Sequence, residues 1–100
     1  MDLTPFIEAF HAESQEGLDA MEASLLKLET GDSDAIHDIF RAAHSIKGGA
    51  GTFGLNAVSE FTPRVETLLD LMRAEHYPND ADTVALLLDA TECLRSLLSA

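Results

Sequence analysis

The chain has 100 residues, 46% of them hydrophobic, with six glycines and three prolines. That is the length of one domain with enough apolar material to fill a core, and the scarcity of breakers favours helix over loop. Acidic residues outnumber basic ones 18 to 6, for a formal net charge of -12, which disfavours nucleic acid and anionic membrane surfaces as partners.

A single cysteine, Cys93, cannot close an internal disulfide, so no oxidising compartment is required. The opening Met1-Asp2-Leu3-Thr4-Pro5 lacks the basic start and apolar run of a secretory signal. No stretch approaches the length needed to span a bilayer. The expectation is a cytoplasmic domain without membrane insertion.

In chain order, Thr4 is expected to cap a first helix with Pro5 at its first position, where the missing N–H is harmless. Ile7, Phe10, Ser14, Leu18, Met21, Leu25 and Leu28 recur at steps of three and four up to Glu29, and Gly31 closes the helix. Its outer face, with Glu8, Glu13, Glu16 and Glu22, reads as a solvated surface. Ser33 is the expected cap of a second helix, with Asp34 in its first turn, that buries Ile36, Ile39, Phe40, Ala43, Ile46, Ala50 and Phe53. Asn56 is the expected cap of a third, whose apolar positions are Val58, Phe61, Val65, Leu68, Leu69 and Met72. Pro63 falls inside it, cannot donate to the Ser59 carbonyl, and predicts a kink, or a break recapped by Thr62. The turn Glu75-His76-Tyr77-Pro78-Asn79-Asp80 leads to a fourth helix with Val84, Leu87, Leu88, Thr91, Leu94 and Leu98 on its core face. Short loops make consecutive helices antiparallel neighbours. The fold is therefore read as all-α, an up-down-up-down four-helix bundle over residues 1–100.

The fourth helix carries a second apolar stripe, Leu86, Ala90, Cys93 and Leu97, opposite the first. A helix apolar on two faces normally has neighbours on both. The reading favours a further C-terminal helix missing from this chain over a dimer contact, and the abrupt end after Leu97-Leu98-Ser99-Ala100 favours an excised domain.

Residues 44 to 54, HSIKGGAGTFG, are the part that composition does not explain. Gly48, Gly49 and Gly51 fall within the helical rhythm of Ala50 and Phe53, where each costs about 1 kcal/mol relative to alanine. Together that is a large share of the roughly 5 to 15 kcal/mol by which a small domain is stable. Position i+4 lies one turn along the same face, so Gly48 would leave bare backbone beside His44, and Gly51 would extend the clearing. The alternative is that the glycines only end the helix. His44 itself falls roughly 110° from the centre of the apolar stripe, on a flank with His37, Arg41, Gly48 and Gly51, and should be open to solvent.

This stretch resembles the phosphorylation motif of histidine phosphotransfer domains. The longer run IFRAAHSIKGGAGTFG, residues 39 to 54, is most similar to the N-terminal P1 domains of CheA-type chemotaxis histidine kinases, and VETLLD at 65 to 70 fits the same family. The resemblance implies that His44 accepts a phosphoryl group from ATP held by a separate CheA-type kinase catalytic domain. His44 would then pass it to an aspartate of a response regulator receiver of the CheY or CheB type. A neutral imidazole is a competent nucleophile near neutral pH, since histidine's reference pKa is about 6.5. In the family Nε2 is phosphorylated while a carboxylate holds the other ring nitrogen, and Glu66 matches that carboxylate. Lys47, one turn from His44, matches the family's lysine and would pair with phosphoryl oxygens. Arg41, Gly48, Gly49 and Gly51 are the expected partner-binding residues on this flank, with the receiver docking across the first two helices.

One position departs from the family. Three residues before the matching glutamate the family commonly has a second histidine that joins the site's hydrogen bonds, and here it is Pro63. That part of the network must be absent or replaced by water, Thr62 or Arg64. No cofactor is expected in this domain, since ATP and Mg²⁺ would come with partner domains. The domain alone is expected to catalyse nothing.

Two other readings compete. A freestanding phosphorelay intermediate between two receivers would carry the same site. A metal-binding bundle would use Glu8-x-x-His11 and Asp34-x-x-His37, but these pairs open consecutive antiparallel helices, the first about 25 residues long, which separates them by about 30 Å or more. A hydrolase fits worse, because no serine or cysteine stands in a recognisable nucleophile context.

Overall fold

In the computed structural model, which describes residues 2–76 and 78–99, the apolar stripes become four helices. They are α1 (Thr4–Glu29), α2 (Ala35–Thr52), α3 (Asn56–Arg73) and α4 (Ala81–Ser99). No strand occurs among the described residues. Each helix packs on its neighbours in sequence and α1 also packs on α4, closing a four-cornered bundle whose diagonal pairs make no close approach. The body measures 47 × 21 × 19 Å. No helix among the described residues is long and apolar enough to cross a membrane.

The core is the set of residues that the 3.6-residue rhythm selects. Leu18, Met21 and Leu25 of α1, Ile39 and Ala43 of α2, Val58 and Leu69 of α3, and Leu87 and Leu94 of α4 are all essentially inaccessible. Each large side chain of this kind contributes about 1.5 to 3 kcal/mol by leaving water. Ile7 does not join them and remains 38% exposed. The reason is length: α1 has 26 residues against 18 in α2, so its first two turns run past the end of their neighbour, and Leu3 and Phe6 are exposed with Ile7. Leu88, Phe40 and Phe53 are half-buried, packed on the rim of the core.

The expected caps are displaced. Thr4 already belongs to α1, Leu3 precedes it without a side-chain bond, and Asp2 Oδ1 accepts the Thr4 N–H at 2.9 Å. Ser33 does not cap α2; its place is taken by a tight turn in which the N–H groups of Ala35, Ile36 and His37 donate to the carbonyls of Asp32, Ser33 and Asp34. Asn56 is the first residue of α3 rather than its cap. Asp80 caps α4, its Oδ1 accepting the Thr83 N–H at 2.9 Å, and this seats Thr83 in the core. Tyr77, in the turn before it, lies outside the described residues.

At their other ends α1 and α2 stop in one shared way. Gly31 has φ +104°, the Asp32 N–H reaches back to the Lys27 carbonyl and the Gly31 N–H to that of Leu28, which is the left-handed Schellman closure. Gly54, at φ +70°, closes α2 in the same way through Leu55 and Ala50. Gly54 is therefore the helix stop, and Gly48, Gly49 and Gly51 lie within the helix.

Pro63 does not break α3, which runs unbroken from Asn56 to Arg73. Thr62 starts no second helix: it is fully buried and its hydroxyl donates to the Val58 carbonyl at 2.7 Å. On α4, Leu86 and Cys93 are exposed, whereas Ala90 and Leu97 pack partly on the core. Cys93 and Leu97 share a shallow cleft with Ala57 and Phe61 of α3, so the second stripe is in part a lateral contact with α3.

Candidate functional site

The antiparallel pairing of α2 and α3 brings His44 and Glu66, 22 residues apart, within one hydrogen bond: Nδ1 lies 2.9 Å from Glu66 Oε2. The two ends of that contact differ sharply in their surroundings. The His44 side chain is 64% exposed and that of Glu66 only 9%. A buried carboxylate thus anchors a ring that stands in solvent.

Lys47, one turn along α2, places Nζ 2.8 Å from Glu66 Oε1. This approach is an ion pair without directed hydrogen-bond geometry, and Oε1 is fully buried with no other donor. Burial pushes the Glu66 carboxyl up, but the donors and charges of Lys47 and His44 outweigh it and hold the group below its ordinary range. Glu66 is therefore ionised near neutral pH. An ionised carboxylate can only accept, so in the neutral ring Nδ1 carries the proton and donates it to Glu66. Nε2 is then the nitrogen with a free lone pair.

The surface beside the ring is bare. A Cβ at Gly48 or Gly51 would meet nothing within 4 Å. Gly49 differs, because a Cβ there would lie 2.2 Å from Phe10 Cε1. Its missing side chain makes room for the Phe10 ring between α1 and α2, a packing role in place of the expected open flank. Arg41 precedes His44 by one turn of α2. It pairs with Asp38 at 2.7 Å and is the most exposed partner of that pair.

Pro63 is exposed and brings no polar side-chain atom to the site. Thr62 does not replace the family's second histidine, since its hydroxyl is bonded to Val58. Arg64 makes no ion pair with Glu66 among the described residues. Among the described residues, Lys47 is the one cation that faces the second carboxylate oxygen.

Two residues that the sequence does not assign to the site, Phe40 and Arg73, join the neighbourhood. The Phe40 ring lies parallel to His44, with centroids 6.1 Å apart and an interplanar angle of 11°, and the Arg73 guanidinium lies 3.9 Å from the Phe40 centroid. The i, i+4 spacing of Phe40 and His44 signals a shared face, but the rhythm of the core claimed Phe40 first. Beyond the ring, a groove of about 400 Å³ runs between α1 and α2, with Phe10, Gly17, Ala42 and Ile46 in its floor and Glu13 and Glu16 on its rim. Ser14, within it, has a buried hydroxyl without a partner. The groove reaches Ser45, the residue beside His44.

Among the described residues no three His, Cys, Asp or Glu side chains are grouped so that they could hold a metal ion, and Glu8, His11, Asp34 and His37 do not assemble.

Comparison with known proteins gives a single family. The model of the Hpt domain matches residues 5–99. This chain is an Hpt domain. It is 39% identical to the chemotaxis protein CheA of Rhizobium meliloti over 102 residues, covering 100% of this chain and 14% of that protein. Against the CheA of Salmonella typhimurium it is 41% identical, again over 100% of this chain and 15% of that protein. The Hpt domain thus spans about one-seventh of the length of these curated relatives. A crystal structure of the phosphorylated P1 domain of CheA3 in complex with CheY6 from R. sphaeroides superposes with a TM-score of 0.85 at 35% identity, covering 93% of this chain and 74% of that one. The four-helix bundle of this Hpt domain is therefore that of a P1 domain.

Proposed function

We propose that this Hpt domain is the phosphoryl carrier of a CheA-type chemotaxis kinase, with His44 as the acceptor. The observation that carries the reading is the asymmetry of one hydrogen bond. Its carboxylate end is buried and ionised, while its imidazole end is exposed and held at Nδ1, which leaves Nε2 as the nitrogen facing away from the carboxylate. In the forward step the Nε2 lone pair forms a bond to the γ-phosphorus of ATP as the bond to the ADP oxygen breaks. Positive charge grows on the ring, and the Nδ1 proton, already donated to Glu66, is where the carboxylate offsets it. In the second step an aspartate oxygen of a receiver attacks the phosphorus, the N–P bond breaks, and the ring returns to neutral.

Lys47 has its charge beside Glu66 and within reach of the phosphoryl oxygens once its side chain swings outward. ATP and Mg²⁺ belong to the kinase catalytic domain and to the acidic pocket of the receiver, where the metal neutralises charge in transfer. The domain by itself turns over nothing, and its place is the cytoplasm. A CheY-type receiver would seat across α1 and α2, and two features support this. Gly48 and Gly51 leave the ring approachable, and the acid-rimmed groove between α1 and α2 extends to Ser45, the next residue of α2.

The test is to offer two phosphodonors. Rapid labelling by a CheA catalytic core with ATP and Mg²⁺, followed by passage to a CheY-type receiver, is the expected result. Labelling only from an already phosphorylated receiver would overturn it in favour of a freestanding relay.

A further inference from the structure

A hydrogen bond at Nδ1 fixes one point of the His44 ring and leaves it free to tilt about the line to Glu66, sweeping Nε2 through an arc. Phe40 lies where it would limit that tilt: its ring is parallel to the imidazole within 11° at a centroid distance of 6.1 Å. That separation is within the range in which aromatic pairs attract. Phe40 is itself clasped. It packs on the core, and the Arg73 guanidinium covers it at 3.9 Å. Arg73 is in turn held by its ion pair with Asp70, one turn back on α3.

The helix register places Arg73 and His44 in opposite directions along α2 from Phe40. Antiparallel pairing sets Glu66 opposite His44, so Arg73, seven residues further along α3, lies toward the first turn of α2. There it shares a small cleft with Ile36 and His37. His44 follows Phe40 by one turn in the opposite direction. A chain of contacts, Asp70 to Arg73 to Phe40 to His44, therefore runs along the α2–α3 seam and ends on the face of the reacting ring.

We propose that Phe40, backed by Arg73, is a positioning residue for phosphoryl transfer: it sets the plane of the His44 imidazole while Glu66 sets its edge. This rests on the reading of His44 as the phosphoacceptor. A phenylalanine needed only to fill the core could be replaced by leucine, whereas a stacking platform needs a ring. Near-attack geometry depends on aligned orbitals, and its loss slows the chemical step without weakening the encounter.

The experiment uses the full chain, a CheA catalytic core and ATP with Mg²⁺, and measures the maximal phosphorylation rate and the KM for the chain separately. Phe40→Leu is expected to lower the maximal rate about 3- to 10-fold with KM unchanged, and Phe40→Tyr to restore it. Arg73→Met, which leaves the core intact, is expected to lower the rate about 2- to 3-fold and decides the matter should Phe40→Leu fail to fold. Wild-type rates in Phe40→Leu or in Arg73→Met, or a change confined to KM, would overturn the proposal while leaving the carrier reading intact. Labelling that persists in His44→Gln would overturn both.

Discussion

Gly48 and Gly49 are adjacent in sequence and opposite in circumstance: a Cβ at Gly48 would meet nothing within 4 Å, and one at Gly49 would lie 2.2 Å from the Phe10 ring. One glycine keeps the flank of His44 open, and the other lets α1 and α2 close on each other. Alanine should separate the roles. Gly48→Ala is expected to raise stability by about 1 kcal/mol, the helical penalty of glycine, while slowing transfer to the receiver. Gly49→Ala is expected to destabilise by about 1 to 3 kcal/mol through overpacking. Chemical denaturation of the two variants, with transfer measured on Gly48→Ala, checks both signs.

Glu75 ends α3 with φ 61°, the left-handed conformation that Gly31 and Gly54 supply at the ends of α1 and α2. The same closing bonds are present, from the His76 N–H to the Leu71 carbonyl and from Glu75 to Met72. A side chain in this conformation is strained by about 1 kcal/mol. Glu75→Gly is therefore expected to raise stability by about that amount, read as an upward shift of the denaturation midpoint.

Glu66 links stability to pH. Its folded-state pKa lies below its ordinary value near 4.5, so its contribution is complete above that value and is lost as the pH falls through the lower, folded-state one. Thermal melts from about pH 6 to about pH 3 should show an acid limb that is shallower in Glu66→Gln than in the wild type. Equal limbs would mean that the carboxylate is not held as described.

Arg95 joins α4 to α1 through Gln15 at 2.7 Å, Asp19 at 3.0 Å and Glu22 at 2.8 Å. Its side chain is 27% exposed, and several partners share one guanidinium, which is the setting in which a surface pair contributes measurably. Arg95→Met is expected to destabilise by about 1 kcal/mol at low salt and by less at high salt. Melts at two ionic strengths decide it.

The four helices were legible because apolar spacing reports directly which face is buried, and Leu18, Ile39, Leu69 and Leu94 all fall where it places them. Cap positions were not, because several residues suited to a cap stand side by side, and residue preference alone does not say whether Asp2 or Thr4, or Asp32 or Ser33, accepts the free N–H. Ile7 was misplaced because the stripe continues past the point where its neighbour ends. Cross-helix relationships carry no sequence period at all. The contact of Glu66 with His44 could be reached only through family resemblance, and neither that nor the spacing indicated that Phe10 occupies the place of the Gly49 side chain or that Arg73 covers Phe40.

The exposed His44 ring, anchored at Nδ1 by a buried carboxylate, is proposed as the group that carries the phosphoryl. Intact mass of the wild-type chain and of His44→Gln, after incubation with a CheA catalytic core, ATP and Mg²⁺, tests it most directly. One added phosphoryl group is expected on the wild type and none on the variant. An equal gain by both would contradict it.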